Sequence, residues 1–147
     1  MRRTEIIASA IPEKCSVLDL GGGLGNLCNC LEGKCCHYIS IDKECWTDRT
    51  IKADFNKGEF PDLSGQRVIV CQGVLEYLND PEGFLDKIKK YGGIMLLTYW
   101  LGESNDGMKV NSMGMQELKE MLSRTGWKVV FSRTISSNQK LFYCSKI

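Results

Sequence analysis

Apolar positions along this chain alternate between compact runs that suit buried strands and spacings that suit one face of a helix. Ile6, Ile7, Ala10 and Ile11 have the helical spacing, and Pro12 closes that segment. Ser16 to Leu20 is then a strand, and a helix is predicted from about Gly25 to Glu32 with Gly33 as its stop. His37 to Ile41 reads as a second strand ending at Asp42. Glu44 to Asp54 reads as a short helical turn followed by a small strand, Ile51 to Ala53. The polar stretch from Asn56 to Gln66, with Gly58, Pro61 and Gly65, is a connecting loop. Arg67 to Cys71 is a β-branched run, as expected of a strand buried on both faces. Asp80 and Pro81 open a helix by side-chain capping and a proline at its first position. Its apolar face is Phe84, Leu85, Ile88 and Tyr91, and Gly92-Gly93 ends it.

Ile94 to Tyr99 is a fifth strand, followed by a polar loop through Asn111. A further helix turns Met115, Leu118, Met121 and Leu122 inward and stops at Gly126. Trp127 to Ile135 and Lys140 to Ser145, joined by a tight polar turn, make an antiparallel hairpin. Strands alternating with helices in this order predict an α/β fold, a Rossmann-like, doubly wound, mostly parallel sheet finished by that hairpin. At 147 residues, the chain from 1 to 147 is expected to form one domain with a core large enough to need no staples.

The first strand stops in Gly21-Gly22-Gly23-Leu24-Gly25. A turn without Cβ atoms at the carboxyl end of a central parallel strand lets a ligand come up to the main chain, and open sheets bind nucleotides there. A dinucleotide fingerprint starting at Gly21 would require glycine at position 26, where Asn26 stands. The pattern present is D-x-G-x-G-x-G on Asp19, Gly21, Gly23 and Gly25. Asp42 follows Gly21 by 21 positions, about the separation at which a βαβ unit brings a carboxylate to a nucleoside ribose. A carboxylate can accept two hydrogen bonds from a vicinal diol; the alternative is a solvated acid at a strand end.

Asp19 to Gly25 resembles motif I of the class I S-adenosylmethionine-dependent methyltransferases, and Gln72-Gly73-Val74-Leu75-Glu76-Tyr77-Leu78-Asn79-Asp80-Pro81 is similar to the segment by which that family leaves its fourth strand. The likeness extends over nearly the whole chain and points to the small, cap-less members, the MetW-like or surface-polysaccharide-associated group. It implies S-adenosyl-L-methionine as cofactor, with Asp19, Gly21, Gly23 and Gly25 at the turn and Asp42 on the ribose hydroxyls. It further implies Asp54 at the adenine amino group, Phe55 against the ring, and Gln72 with Gly73 beside the methionine part. Phe55 reads equally well as core. Gly22 stands where the family more often has Cys, Ser or Thr, a change expected to matter little.

The activity so implied is methyl transfer to a small-molecule or sugar hydroxyl, or another nucleophile, achieved mainly by positioning. The alternative is a catalytically weak cofactor-binding subunit of a partner enzyme, and an NAD-linked oxidoreductase is disfavoured by Asn26. Where related sequences often carry His after the Glu, this chain has Tyr77, so acceptor deprotonation would fall to Tyr77, Glu76 or water. Glu76 has the alternative role of holding backbone. Tyr99 and Trp100, with the loop after them, are expected to wall the acceptor pocket, and a homodimer or partner protein to complete it.

Charge narrows the partners. A net charge of +1 with interspersed signs leaves no electrostatic footprint for nucleic acid, and Lys87, Lys89 and Lys90 suit a solvated helix end. No run reaches transmembrane length, and Glu5 interrupts a stretch already too short for a signal sequence, so a cytoplasmic protein is expected. The eight cysteines then read as reduced thiols. Cys28, Cys30, Cys35, Cys36 and His37 form a cluster, but two residues two apart on a helix point to different sides, so buried thiols are expected there and no metal site. His37 lies at the end of its strand away from the glycine turn.

Overall fold

The computed structural model describes residues 3–34, 37–102 and 107–147. In chain order the elements are α1 (Arg3–Ala10), β1 (Ser16–Leu20), α2 (Asn26–Cys30), β2 (His37–Asp42), β3 (Thr50–Lys52), β4 (Val68–Cys71), α3 (Pro81–Lys87), β5 (Ile94–Trp100), α4 (Met115–Arg124), β6 (Trp127–Thr134) and β7 (Gln139–Lys146). Short 3-10 turns stand at Phe55–Lys57, Leu75–Tyr77 and Ile88–Tyr91.

All seven strands join one sheet in the order β3-β2-β1-β4-β5-β7-β6. The first five run parallel, and β7 is antiparallel to both β5 and β6. The predicted α/β sheet with its terminal hairpin is therefore present. Strand order reverses at β1, which lies between β2 and β4, and such a switch point leaves a crevice at the carboxyl ends of the strands. Register levels those ends: Leu20 pairs with Ile41 and with Cys71, and Cys71 with Leu97. Gly21, Asp42, Gln72 and Thr98 consequently lie level along one edge.

Side-chain alternation sends the two faces of each central strand into two apolar layers. Ile6, Ile7 and Ile11 from the α1 region and Leu27 and Leu31 from the α2 region pack on Val17, Val70 and Leu96. On the other face Phe84, Leu85, Ile88, Leu118 and Leu122 cover Leu18, Leu20, Ile69, Met95 and Phe142. Asp80 caps α3 as its sequence predicts, its Oδ1 accepting from the Gly83 N–H at 3.0 Å, a contact that contributes about 1 kcal/mol. Trp127, buried at the start of β6, donates its indole N–H to the Leu85 carbonyl at 2.9 Å and pins the hairpin to α3.

One expectation fails. Residues 43–49 form no helix, only a single turn closed by the Thr50 N–H on the Thr47 carbonyl at 3.2 Å, because Thr47 and Thr50 divert other local donors: the Thr47 N–H donates to Thr50 Oγ1 at 3.2 Å and the Arg49 N–H to Thr47 Oγ1 at 3.1 Å. The sheet face beside β2 thus receives no helix from this connection. Among the described residues no helix is long and apolar enough to cross a membrane.

Candidate functional site

The turn after β1 adopts a conformation that glycine alone takes without strain. Gly21, Gly23 and Gly25 have φ of 73°, 56° and 83°, all left-handed. The Gly21 N–H donates to the Ile41 carbonyl at 2.6 Å, so the chain leaves the sheet flush with β2. A Cβ built on Gly23 would meet no atom within 4 Å, so it would project into open space above the turn. Gly22 is more constrained than its sequence suggests. A Cβ there would come within 2.8 Å of both Asp19 Oδ2 and the Ser40 Cβ, which corrects the expectation that a larger residue at this position changes little.

Two carboxylates adjoin the turn. Asp19 is 2% exposed and accepts from the Tyr38 hydroxyl at 2.5 Å. Burial raises its pKa to about 7, with the charge of Asp42 pushing the same way and the Tyr38 hydrogen bond opposing both. Tyr38 is itself pushed well above its ordinary value by burial and by Asp19. Asp42, half-buried at the end of β2, accepts from the Gly23 N–H at 3.0 Å through Oδ2 and from the Glu44 N–H at 3.2 Å through Oδ1. A carboxylate has about four acceptor positions, so two remain open for a ligand.

Three lobes open from this edge. The largest, about 400 Å³, is lined by Gly21, Asp42, Asp54, Phe55, Gly73 and Tyr77 among others. Asp54 caps the 3-10 turn after it by accepting from the Asn56 N–H at 2.9 Å through Oδ1. Phe55 packs its ring on Phe60 and Phe84 at centroid distances of 5.3 and 5.1 Å, and it also lines the lobe. The second lobe, about 190 Å³, holds Asp19, the glycines, Gln72 and Arg3. Gln72 donates through Nε2 to Thr4 Oγ1 at 2.9 Å, tying the end of β4 to α1. The third, about 270 Å³, is lined by Arg3, Gly73, Glu76, Tyr77, Trp100, Lys109 and Gln139. Gly21 is common to the first two, Arg3 to the last two, and Gly73 and Tyr77 to the first and third. The lobes therefore form one branched crevice around the switch point.

The candidate chemistry-bearing side chains separate clearly. Glu76 is 2% exposed, and its Oε2 accepts from the Trp100 N–H at 3.0 Å, so it holds backbone. Its Oε1 is buried with no partner among the described residues, an arrangement that costs about 1–3 kcal/mol. Burial raises its pKa, against the backbone hydrogen bonds and the nearby Lys109 and Arg3 charges, which lower it. Tyr77 is 37% exposed at the junction of two lobes. Trp100 lines the third lobe, with the Lys109 ammonium 4.5 Å from its ring centroid. Tyr99 does not wall the pocket: its ring is fully buried in the layer beneath α3 and α4, and its hydroxyl donates to Asn111 Oδ1 at 2.6 Å. Consecutive residues on a strand face opposite ways, so only one of this pair can reach the crevice.

Sequence reasoning did not anticipate Arg3 and Lys109. Arg3 comes from a helix before β1, and no spacing rule links it to the end of β4. Neither side chain makes an ion pair with any described residue. A groove of about 650 Å³ lies elsewhere, lined by Cys28, Glu32, His37, Tyr38 and Arg49, where no helix covers β2. It shares no residue with the crevice, and His37 sits there, away from the glycine turn. Among the described residues no group of three or more His, Cys, Asp or Glu side chains could hold a metal; Cys35 and Cys36 lie outside them.

A switch-point crevice floored by left-handed glycines, with an acid at the end of the neighbouring strand, defines a nucleotide-binding site of the doubly wound class. The chain belongs to the methyltransferase domain family, which it matches over residues 2–132. No curated protein sequence matches it significantly. Solved structures share its fold at low identity. One comes from the complex between the Haloferax volcanii Trm112 methyltransferase activator and a protein described as a methyltransferase: TM-score 0.78, 15% identity, covering 97% of this chain and 88% of that one. A second is a SAM-dependent methyltransferase from Aquifex aeolicus: TM-score 0.74, 18% identity, covering 99% and 90%. A third is the Burkholderia thailandensis 1,6-didemethyltoxoflavin-N1-methyltransferase with bound 1,6-didemethyltoxoflavin and S-adenosylhomocysteine: TM-score 0.75, 16% identity, covering 98% and 78%.

Proposed function

We propose that residues 1–147 form one S-adenosylmethionine-dependent methyltransferase domain that acts on a small-molecule acceptor, mainly by positioning. The observation that carries this reading is the branched crevice, whose three lobes meet at Gly21, Gly73 and Arg3. Each lobe suits one part of the reacting pair. Asp42 has acceptor positions left for a ribose diol, and Asp54 has an Oδ2 left for an adenine amino group, with Phe55 beside it. The glycine turn and Gln72 suit the amino-acid end. The bare space above Gly23 is the room such a ligand needs. The cofactor supplies an electrophilic methyl group on a sulfonium when bound. The protein's part is then to align an acceptor in the third lobe and keep water away from it. The Aquifex and Burkholderia structures, a SAM-dependent methyltransferase and one holding S-adenosylhomocysteine, support the cofactor assignment.

A thermal-stability screen tests it. S-adenosylhomocysteine at about a hundred times its Kd stabilises a one-site protein by about 2.7 kcal/mol, so a clear rise in Tm is expected. Gly23→Val, whose side chain would fill the space above the turn, removes that rise. A nicotinamide dinucleotide raising the Tm more than S-adenosylhomocysteine would overturn the reading. A second reading, a cofactor-binding subunit that needs a partner, draws support from the Haloferax relative's complex with an activator protein and from the exposed Tyr77 where related sequences often have His. Cofactor binding without turnover until a co-purifying protein is added back would select it.

A further inference from the structure

We infer that the lobe bounded by Arg3, Glu76, Trp100, Lys109 and Gln139 is a subsite for the oxyanion, carboxylate or phosphate, of a small acceptor that also carries an O–H or N–H donor. The inference rests on the methyltransferase reading of the crevice and names the acceptor class for its third lobe. The polar lining is dominated by donors without work to do. Arg3 and Lys109 are cations without an ion pair to any described residue, and neither lies within 4.0 Å of the Glu76 carboxylate. The Trp100 indole N–H is buried in the wall of the same lobe without a partner among the described residues, and the Gln139 side-chain amide bonds to none of them either.

Against these stands a single carboxylate, so the lobe carries an excess positive charge at neutral pH. Glu76 has Oε2 committed to the Trp100 backbone and Oε1 without a partner among the described residues, which leaves one acceptor for an acceptor molecule's hydroxyl or amine. A molecule with an oxyanion at one end and a donor at the other answers both deficits. A neutral polyol answers only the second. Lys109 lies over the Trp100 ring on a flexible stem, so its ammonium can turn to an anion without moving backbone.

The test uses the full chain, labelled with nitrogen-15 and saturated with S-adenosylhomocysteine. The probes are two matched pairs: glycerol 3-phosphate against glycerol, and 3-hydroxypropanoate against propane-1,3-diol. The readout is the Trp100 indole N–H resonance, identified by its loss in Trp100→Phe. One charged member at least is expected to move that signal downfield to saturation, binding about tenfold or more tightly than its neutral counterpart. Which pair responds distinguishes phosphate from carboxylate. Lys109→Met keeps the stem over the ring and removes the charge. It should erase that preference while S-adenosylhomocysteine affinity, read by calorimetry without probe, stays within about twofold. Charged and neutral members behaving alike, or an unchanged preference in Lys109→Met, overturns the inference and leaves the cofactor reading standing. Failure of the wild-type protein to bind S-adenosylhomocysteine overturns that reading instead.

Discussion

The buried carboxyl beneath the glycine turn makes folding stability depend on pH in an unusual direction. Asp19 has an ordinary pKa of 3.8, and burial raises it to about 7 in the folded protein. The native state therefore holds a proton through a range in which the unfolded chain has released it. Stability linked to Asp19 is complete below the unfolded value and is lost as pH rises toward the folded one. Each pH unit inside that window removes about 1.4 kcal/mol, so ionising Asp19 in place costs about 4 kcal/mol over the full span. Asp19→Asn keeps an acceptor for the Tyr38 hydroxyl and cannot ionise. The assay is urea unfolding followed by circular dichroism, for both proteins, at intervals from about pH 5 to about pH 8. Glu76 is also shifted upward and contributes the same slope to both proteins, so the quantity to read is the difference between the two curves. The variant should gain on the wild type steadily from about pH 5 to about pH 7 and hold its advantage above. Parallel curves across that range would refute the argument.

Three further outcomes follow from local geometry. Gly92→Ala would place a Cβ 1.7 Å from the Arg67 carbonyl oxygen and should cost about 3 kcal/mol or more, whereas Gly93→Ala, with nothing within 4 Å, should cost under about 1 kcal/mol; equal losses in a thermal melt would contradict the packing. Tyr99→Phe leaves Asn111 Oδ1 without its donor and should lower stability by about 1 kcal/mol while leaving S-adenosylhomocysteine affinity unchanged, since the ring faces the core; a fall in affinity by calorimetry would return Tyr99 to the crevice. Asp80→Ala removes the cap of α3 and should cost about 1 kcal/mol, read from the same melts.

The parts of the fold that were legible in the amino-acid sequence are those whose cause is local. Left-handed φ at Gly21, Gly23 and Gly25 is a demand that glycine meets and other residues resist, so the turn announces itself. Asp80-Pro81 does the same for the start of α3, and Ser136 to Gln139 for the hairpin. What was not legible depends on contacts between distant segments. Arg3 reaches the crevice because α1, packed on one sheet face, begins beside the end of β4, where Thr4 accepts from Gln72, and Lys109 because the chain after β5 folds back there: the Val110 N–H donates to the Glu76 carbonyl at 2.9 Å. Tyr99 and Trp100 were misjudged as a pair because β5 is apolar on both faces, which hides the alternation that separates them. The absence of a helix at 43–49, where only one turn closes, shows the opposite failure, in which side-chain hydroxyls captured backbone donors that a helix would have used.

The central claim, that the glycine turn and Asp42 jointly hold an adenosyl group, is tested most directly by calorimetric titration of S-adenosylhomocysteine into wild-type protein and Asp42→Ala. Two hydrogen bonds to a charged carboxylate, at roughly 1.5 kcal/mol each, make about 3 kcal/mol, or about a hundredfold in Kd. Circular dichroism on the variant shows whether the loss of the Gly23 contact has disturbed the fold. One binding site in the wild type, weakened about a hundredfold in a folded Asp42→Ala, is the predicted result. Equal affinity in the two proteins would contradict the account.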